Sequence, residues 1–175
     1  GNQMGALLLD YVIKARRDLG ILPVDAYCVK SLVSTDMAYK IAKDNGVKLH
    51  DVLTGFKFIG EQIQLLENDG EDDRYILGFE ESYGYLKGTY ARDKDAVVTA
   101  MLICEMTAFY KARKMTLSDA LSALFEKYGF CFEQNVEVYM EGLEGPARMA
   151  ALMDGLRNNP PKEFGGIPVT LVGDY

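Results

Sequence analysis

Tyr75-Ile76-Leu77-Gly78-Phe79-Glu80-Glu81-Ser82-Tyr83-Gly84-Tyr85 is the stretch around which the chain is organised. Its opening apolar and aromatic run, Tyr75 to Phe79, predicts a short buried strand. The run ends in two carboxylates and a hydroxyl, after which Gly84 and Gly88 loosen the backbone. Polar groups at the end of a buried strand stand on a rigid support and face a crevice. Two readings fit them. An ionised carboxylate accepts from two O–H groups at once, which suits the vicinal hydroxyls of a sugar. A solvated acidic turn is the plainer alternative, and chemistry alone favours it because a Glu-Glu-Ser triplet is common.

Upstream, Met4, Leu7, Leu8, Tyr11, Val12 and Ala15 recur at helical spacing, predicting an amphipathic helix that ends near Leu19-Gly20. Ala26 to Val33 reads as a mostly buried strand. Ser34 or Thr35 then caps a short helix bearing Met37, Ala38, Ile41 and Ala42, which Asn45-Gly46 terminates. A second strand, about Val47 to Val52, leads into a Thr54-Gly55 turn. The next helix uses Ile59, Ile63 and Leu66 and stops at Asn68-Asp69-Gly70. Strand, helix, strand, helix, strand predicts an α/β fold: a mixed, largely parallel sheet flanked by helices. Thr54 and Glu80 each follow a predicted strand directly, so both belong at the crevice end of that sheet.

Downstream, Val97, Val98, Met101, Leu102, Met106 and Phe109 predict a long helix to about Lys114, its methionines serving as core filler. Thr116 with Asp119 opens another helix that closes at Gly129. Phe130, Phe132, Val136, Val138 and Met140 alternate with polar residues, predicting a half-buried antiparallel strand. Gly145-Pro146 begins a helix halted by Asn158-Asn159-Pro160-Pro161, and Ile167 to Val172 reads as a last short strand. The C-terminal end is thus a helix-strand extension. The expected division is a 1–115 core and a 116–175 remainder, with the boundary between about Lys114 and Glu141.

A chain of 175 residues, 49% hydrophobic and 26% charged, is a globular composition long enough for a real core. Its formal net charge of -7 argues against nucleic acid or an acidic membrane as partner. No apolar run has the length of a transmembrane helix, and the first residues do not read as a secretion signal. The absence of an initiator methionine suggests a cut fragment. Cys28, Cys104 and Cys131 are widely spaced and read as free thiols in a reducing compartment, not as a disulfide or zinc framework. His50, the sole histidine, is given no role. No dinucleotide fingerprint or P-loop is present.

The stretch Gly78-Phe79-Glu80-Glu81-Ser82-Tyr83-Gly84 resembles the sugar-binding loop of the α-D-phosphohexomutases, the phosphoglucomutase/phosphomannomutase family. Leu53-Thr54-Gly55-Phe56-Lys57-Phe58-Ile59-Gly60 resembles that family's Thr-Gly-aromatic-Lys turn, and Ala91-Arg92-Asp93-Lys94-Asp95 its Arg-Glu-Lys-Asp segment. Gly1-Asn2-Gln3-Met4-Gly5 resembles the start of the family's third domain. Motifs in one order are more specific than any one alone, and together they span nearly the whole chain but one portion of such an enzyme.

The resemblance implies the sugar-recognising third domain of a cytoplasmic enzyme interconverting hexose 1-phosphate and 6-phosphate. A phosphoserine in the first domain, a magnesium ion (Mg2+) held by the second and a bisphosphate intermediate, glucose 1,6-bisphosphate, belong to that reaction. Their loops have no counterpart here, so the chain is expected to be inactive alone, to hold no metal, and to work with other domains of one polypeptide. Glu80 and Ser82 match the residues that hold sugar hydroxyls, with Thr54 and Gly55 completing the contact. Lys94 matches a lysine beside the transferring group and is the catalytic candidate. Arg92 is a phosphate-contact candidate, and Glu81 belongs to the loop motif. Asp93 and Ala96 depart from the expected glutamate and glycine. The acids of Asn68 to Arg74 superficially resemble the family's metal loop, but their order is wrong and a solvated turn is the reading adopted. The Glu-Glu-Ser form points to glucose enzymes. Phosphomannomutase, phosphopentomutase and a non-catalytic sugar-phosphate or protein-binding module stand as alternatives.

Overall fold

The computed structural model describes residues 1–134 and 137–174, which fall into two compact units, Gly1–Glu133 and Gln134–Tyr175. In the first unit, parallel strands β1 (Tyr27–Ser31), β2 (Lys48–Val52) and β3 (Tyr75–Glu80) form a sheet with a short antiparallel strand, β4 (Gly84–Leu86). The order is β2-β1-β3-β4. β1 pairs in parallel with both β2 and β3, while Glu80 of β3 pairs with Gly84 of β4. Every residue of β3 is buried, which is what its apolar run requires of a strand covered on both faces.

Helices cover the two faces. On one lie α1 (Asn2–Asp18), α2 (Met37–Asn45), α4 (Ala96–Ala112) and α5 (Leu117–Tyr128), burying Leu8, Ile13, Ile41, Cys28, Leu77, Phe79, Met106 and Leu124 in one cluster. On the other lies α3 (Phe56–Asn68), whose Phe56, Ile59, Ile63 and Leu66 pack on Val29, Val52, Tyr75 and Leu86. The middle of α1 is buried all round, from Gly5 to Ile13. Its Gly5 is obligatory: a Cβ there would come within 2.6 Å of the Phe79 ring. Buried Asp10 is answered by Lys14 Nζ at 2.6 Å and the Tyr110 hydroxyl at 3.2 Å.

The expected helix ends recur. Gly46 closes α2 in the left-handed region, Asn68-Asp69-Gly70 ends α3, and Thr116 with Asp119 forms a reciprocal capping box on α5. The α2 start differs slightly: Asp36 is the N-cap without a side-chain bond, and the Thr35 hydroxyl accepts from Met37 N–H at 3.2 Å. Two strand expectations are corrected. Residues 130–134 and 137–140 form no strand, and Asn135 and Val136 lie outside the described residues. Alternation makes a strand only where the backbone finds a partner. Here Phe130, Phe132 and Val138 are exposed, and the Phe130 ring leans on Phe125 instead. Strand β4, missed in the sequence, takes the antiparallel edge.

In the second unit, α6 (Gly145–Asn158) precedes a minimal hairpin of β5 (Glu163–Phe164) and β6 (Ile167–Pro168). Gly165 and Gly166, both at positive φ, supply its two-residue turn. The predicted strand from Ile167 to Val172 is therefore only two residues of exposed ladder. No helix among the described residues is long and apolar enough to cross a membrane.

Candidate functional site

Successive residues of a strand point to opposite faces. At the end of β3 this sends the two adjacent glutamates to different turns. Glu80, 4% exposed, accepts from Gly55 N–H at 2.8 Å. Gly55 is the N-cap of α3 and takes φ 125, a value that favours glycine, so the amide is offered by a turn that only a residue without Cβ adopts readily. Glu81 instead accepts from the Ser31 hydroxyl at 2.6 Å, with the Ser34 hydroxyl at 3.4 Å, the first from the last residue of β1 and the second from the turn after it. The ends of all three parallel strands are thereby tied at one place.

The connection from β3 to β4 is the three-residue loop Glu81-Ser82-Tyr83, with Tyr83 at φ 64. A left-handed last residue is what such a short loop needs to return the chain antiparallel. It leaves Ser82 exposed and Tyr83 79% exposed at the tip. Lys94 crosses this hairpin: a Cβ on Gly84 would lie 2.7 Å from Lys94 Cδ and 3.1 Å from Glu80 Oε2. The lysine stem rests where glycine leaves room, and its ammonium sits 5.4 Å from the Phe56 ring centroid, beside the Thr54-Gly55 turn. Ser82 and Lys94 line an open depression of about 590 Å3 with Met4, Tyr83, Tyr85 and Asp95.

Electrostatics fix the approach to Lys94. The Asp93 carboxyl is held below the usual carboxylate range, first by Lys94 N–H and then by its ammonium, 3.1 Å away. Asp95 caps α4 by accepting from Val97 and Val98 N–H at 2.8 and 3.0 Å and takes a 2.6 Å bond from the Tyr90 hydroxyl. The Tyr90 bond is the largest reason that Asp95 is held low, and it pushes the Tyr90 phenol up to about 12. Burial pushes the Tyr85 phenol up to about 12 as well.

Among the expected site residues, the structure brings Gly55, Glu80, Ser82 and Lys94 into one locality, with Thr54 exposed beside Gly55. Arg92 is engaged elsewhere, its guanidinium paired with Glu67 of α3 and donating to Thr89 O. Glu81 is engaged with Ser31 and Ser34. The sequence reading missed those two serines and Lys30, which pairs with Asp51 at 3.0 Å. A signal existed: a lysine inside an otherwise apolar strand demands a buried partner. Among the described residues no group of three or more His, Cys, Asp or Glu is placed to hold a metal ion. In the acidic turn, Glu71 pairs with Arg74, and the Thr89 hydroxyl donates to Asp72 at 3.5 Å.

A three-layer α/β domain with an exposed hydroxyl, a tethered carboxylate and an ammonium at the strand ends is the class that the fold and site define. The family model for "Phosphoglucomutase/phosphomannomutase, alpha/beta/alpha domain III" matches residues 1–128, and the chain belongs to that family. It is 38% identical over 175 residues to the phosphoglucomutase of Staphylococcus aureus strain bovine RF122 / ET3-1, covering 100% of this chain and 30% of that protein. The phosphoglucomutase of strain N315 is 37% identical over the same span. The chain therefore spans about 30% of the length of these curated relatives. Among solved structures, a putative phosphomannomutase from Thermus thermophilus superposes with TM-score 0.55 at 21% identity, over 71% of this chain and 26% of that one. The open form of pp63/parafusin, a phosphoglucomutase from Paramecium, gives 0.59 at 18% identity, over 90% and 26%. These two likenesses concern the fold.

Proposed function

We propose that the chain is the sugar-recognising domain of a cytoplasmic phosphoglucomutase-type enzyme that interconverts hexose 1-phosphate and 6-phosphate through a phosphoserine and a bisphosphate. The observation that carries this reading is the Gly55 N–H bond to Glu80 at 2.8 Å, which joins two of the resembling motifs into one wall. An ionised carboxylate offers about four lone-pair sites, and Gly55 takes one. Glu80 keeps acceptor capacity for substrate hydroxyls, and the symmetry of the carboxylate suits a ring presented in two orientations. Ser82 and Thr54 add hydroxyl contacts. Lys94 supplies a cation near a transferring phosphoryl group, where catalysis is largely positioning and charge neutralisation. Arg92 and Glu81, engaged within the protein, hold the surrounding loops.

Magnesium and glucose 1,6-bisphosphate enter this reading only as partners of the longer enzyme. The described residues do not fit a magnesium site. On this reading the 175-residue chain turns over no substrate alone and binds hexose phosphate weakly, at or beyond roughly the millimolar level. The test is titration of the chain with glucose 1-phosphate, followed by amide NMR. Thr54, Gly55, the Glu80–Gly84 loop and Lys94 should move first, and Glu80→Gln should weaken the response roughly tenfold or more, because the amide exchanges an acceptor for a donor. Glu71→Gln, in the acidic turn, should change nothing. Shifts centred on His50 or on the segment after Phe130 would point to a binding module of another kind.

A further inference from the structure

Lys30 is a fully buried charge for which the proposed reaction has no use. It lies at the centre of the sheet on β1, 0% exposed, beside Asp51 on β2 and Phe79 on β3. An ammonium has three protons to donate. It donates to Ser34 O at 3.2 Å and Ser31 O at 3.3 Å and forms an ion pair with Asp51 Oδ1 at 3.0 Å. Asp51 Oδ1 makes no hydrogen bond, so its pairing with Lys30 is one of charge. The Tyr39 ring covers the ammonium, 4.7 Å from its centroid, and the Tyr39 hydroxyl donates to the other Asp51 oxygen. Both hydrogen bonds of Lys30 fix the end of β1 and the turn that follows. An apolar side chain of similar length would fill this place at lower desolvation cost, so the charge is not explained by stability.

What that turn presents is a pair of hydroxyls. Each serine has one proton. Ser31 donates its proton to Glu81 Oε2 at 2.6 Å, which leaves Ser34 to donate to Ser31 Oγ at 2.7 Å. Lys30 holds the carbonyls of the same two residues whose hydroxyls form the chain from Ser34 through Ser31 to Glu81. We propose that Ser31 and Ser34, pinned by buried Lys30, form a latch on Glu81 that fixes the Glu81-Ser82-Tyr83 loop in its binding shape. Lys30, Ser31, Ser34 and Glu81 are positioning residues; none of them is assigned contact with substrate. The two glutamates then divide the work. Glu80, steadied by Gly55, is the one assigned to the sugar, while Glu81, bonded to the serine turn, steadies Ser82 next to it.

The latch rests on the sugar-site reading only for what the loop binds; its effect on the loop is measurable without ligand. The experiment compares 15N order parameters in the wild-type chain, in Ser31→Ala/Ser34→Ala and in Lys30→Met. In both variants the order parameters of Glu81, Ser82 and Tyr83 should drop from the rigid range, about 0.85, to below about 0.6, while those of β1 and β3 hold. A merely structural role would loosen the whole sheet together. Should Lys30→Met fail to fold, the serine pair decides, because removing two hydroxyls leaves the sheet and its core intact. Loop order parameters unchanged in Ser31→Ala/Ser34→Ala, or lowered equally along β1 and β3, would overturn the latch. A parallel titration with glucose 1-phosphate should show about tenfold weaker binding in the serine variant. If the wild-type chain shows no loop response to that sugar phosphate, the sugar reading fails, and the order parameters still judge the latch.

Discussion

Phe79 and Phe164 are the same side chain in two unlike settings. Phe79, on β3 of the Gly1–Glu133 unit, is 0% exposed and lies against the helix at Gly5. Phe164, on β5 of the Gln134–Tyr175 unit, is 66% exposed on a two-residue strand. The contrast runs through both units. The first encloses helices and strands in two apolar clusters, whereas in the second Gly145 is the buried residue of α6, and Leu143, Leu152, Met153 and Leu156 are exposed. Regular structure alone does not make a core; elements gain stability by covering one another's apolar faces.

The sharpest way to break the contrast is to truncate both rings. Phe79→Ala should lower stability in urea by about 3–5 kcal/mol, the transfer loss plus the cavity left between α1 and the sheet. Phe164→Ala should fall within about 0.5 kcal/mol of wild type. Equal losses would mean that Phe164 has a packed environment and that the two units do not differ as described.

Glycine gives a second matched pair, with effects of opposite sign. Gly5→Ala forces a methyl to within 2.6 Å of the Phe79 ring and should cost about 1–3 kcal/mol. Gly155→Ala, in α6 with nothing within 4 Å of the added methyl, should stabilise that helix by about 0.5–1 kcal/mol. Global unfolding reads the first. Amide exchange within α6 reads the second, since local opening of a weakly buried helix need not follow the global transition. A slower α6 exchange in Gly155→Ala with an unchanged urea midpoint is the expected result.

The same contrast explains what the sequence told and what it withheld. Strands β1 to β3 and their helices were legible because each carries enough apolar residues to reveal its period and its buried face. Strand β4 was not legible: three residues, the first a glycine, show no period, and its existence depends on β3 offering an edge. The alternation from Phe130 to Met140 misled for the complementary reason, since a pattern suited to one covered face found no partner to pair with. In the site, the junction of Thr54-Gly55 with Glu80 was readable, because both follow strands that point the same way. The Ser31–Ser34 turn was not, since two serines at the end of a strand look the same in sequence whether they meet water or a distant glutamate such as Glu81.

Helix starts offer a smaller test. Thr116 accepts from Asp119 N–H at 3.1 Å and caps α5, whose Ala120 and Leu124 are part of the core. Glu144 precedes α6 without a side-chain cap bond. Thr116→Ala should cost about 1 kcal/mol in urea, and Glu144→Ala should cost nothing measurable. A loss at Glu144 as large as that at Thr116 would show that α6 is capped and coupled as α5 is.

The smallest expected effect is the pH dependence of that cap. Asp119 Oδ2 accepts from Thr116 N–H at 2.8 Å and from the Thr116 hydroxyl at 2.7 Å. These bonds favour the ionised form, the backbone bond most, and hold the carboxyl below the usual carboxylate range. A group whose folded value is depressed binds its proton less readily in the folded state. Its contribution is therefore complete above the unfolded value, about 3.9, and is lost as pH falls through the folded value. Asp119→Asn removes the charge while keeping the shape. Urea midpoints of wild type and Asp119→Asn should differ at neutral pH, stay apart down to about pH 5, and converge in stronger acid, with wild type the more stable wherever they differ. Glu144→Gln, at a start whose side chain makes no cap bond, is the control and should show no such convergence. A gap at Asp119 that kept its size from neutral pH into strong acid would mean that the bonds to Thr116 act through shape alone, and the charge assigned to this cap would be refuted.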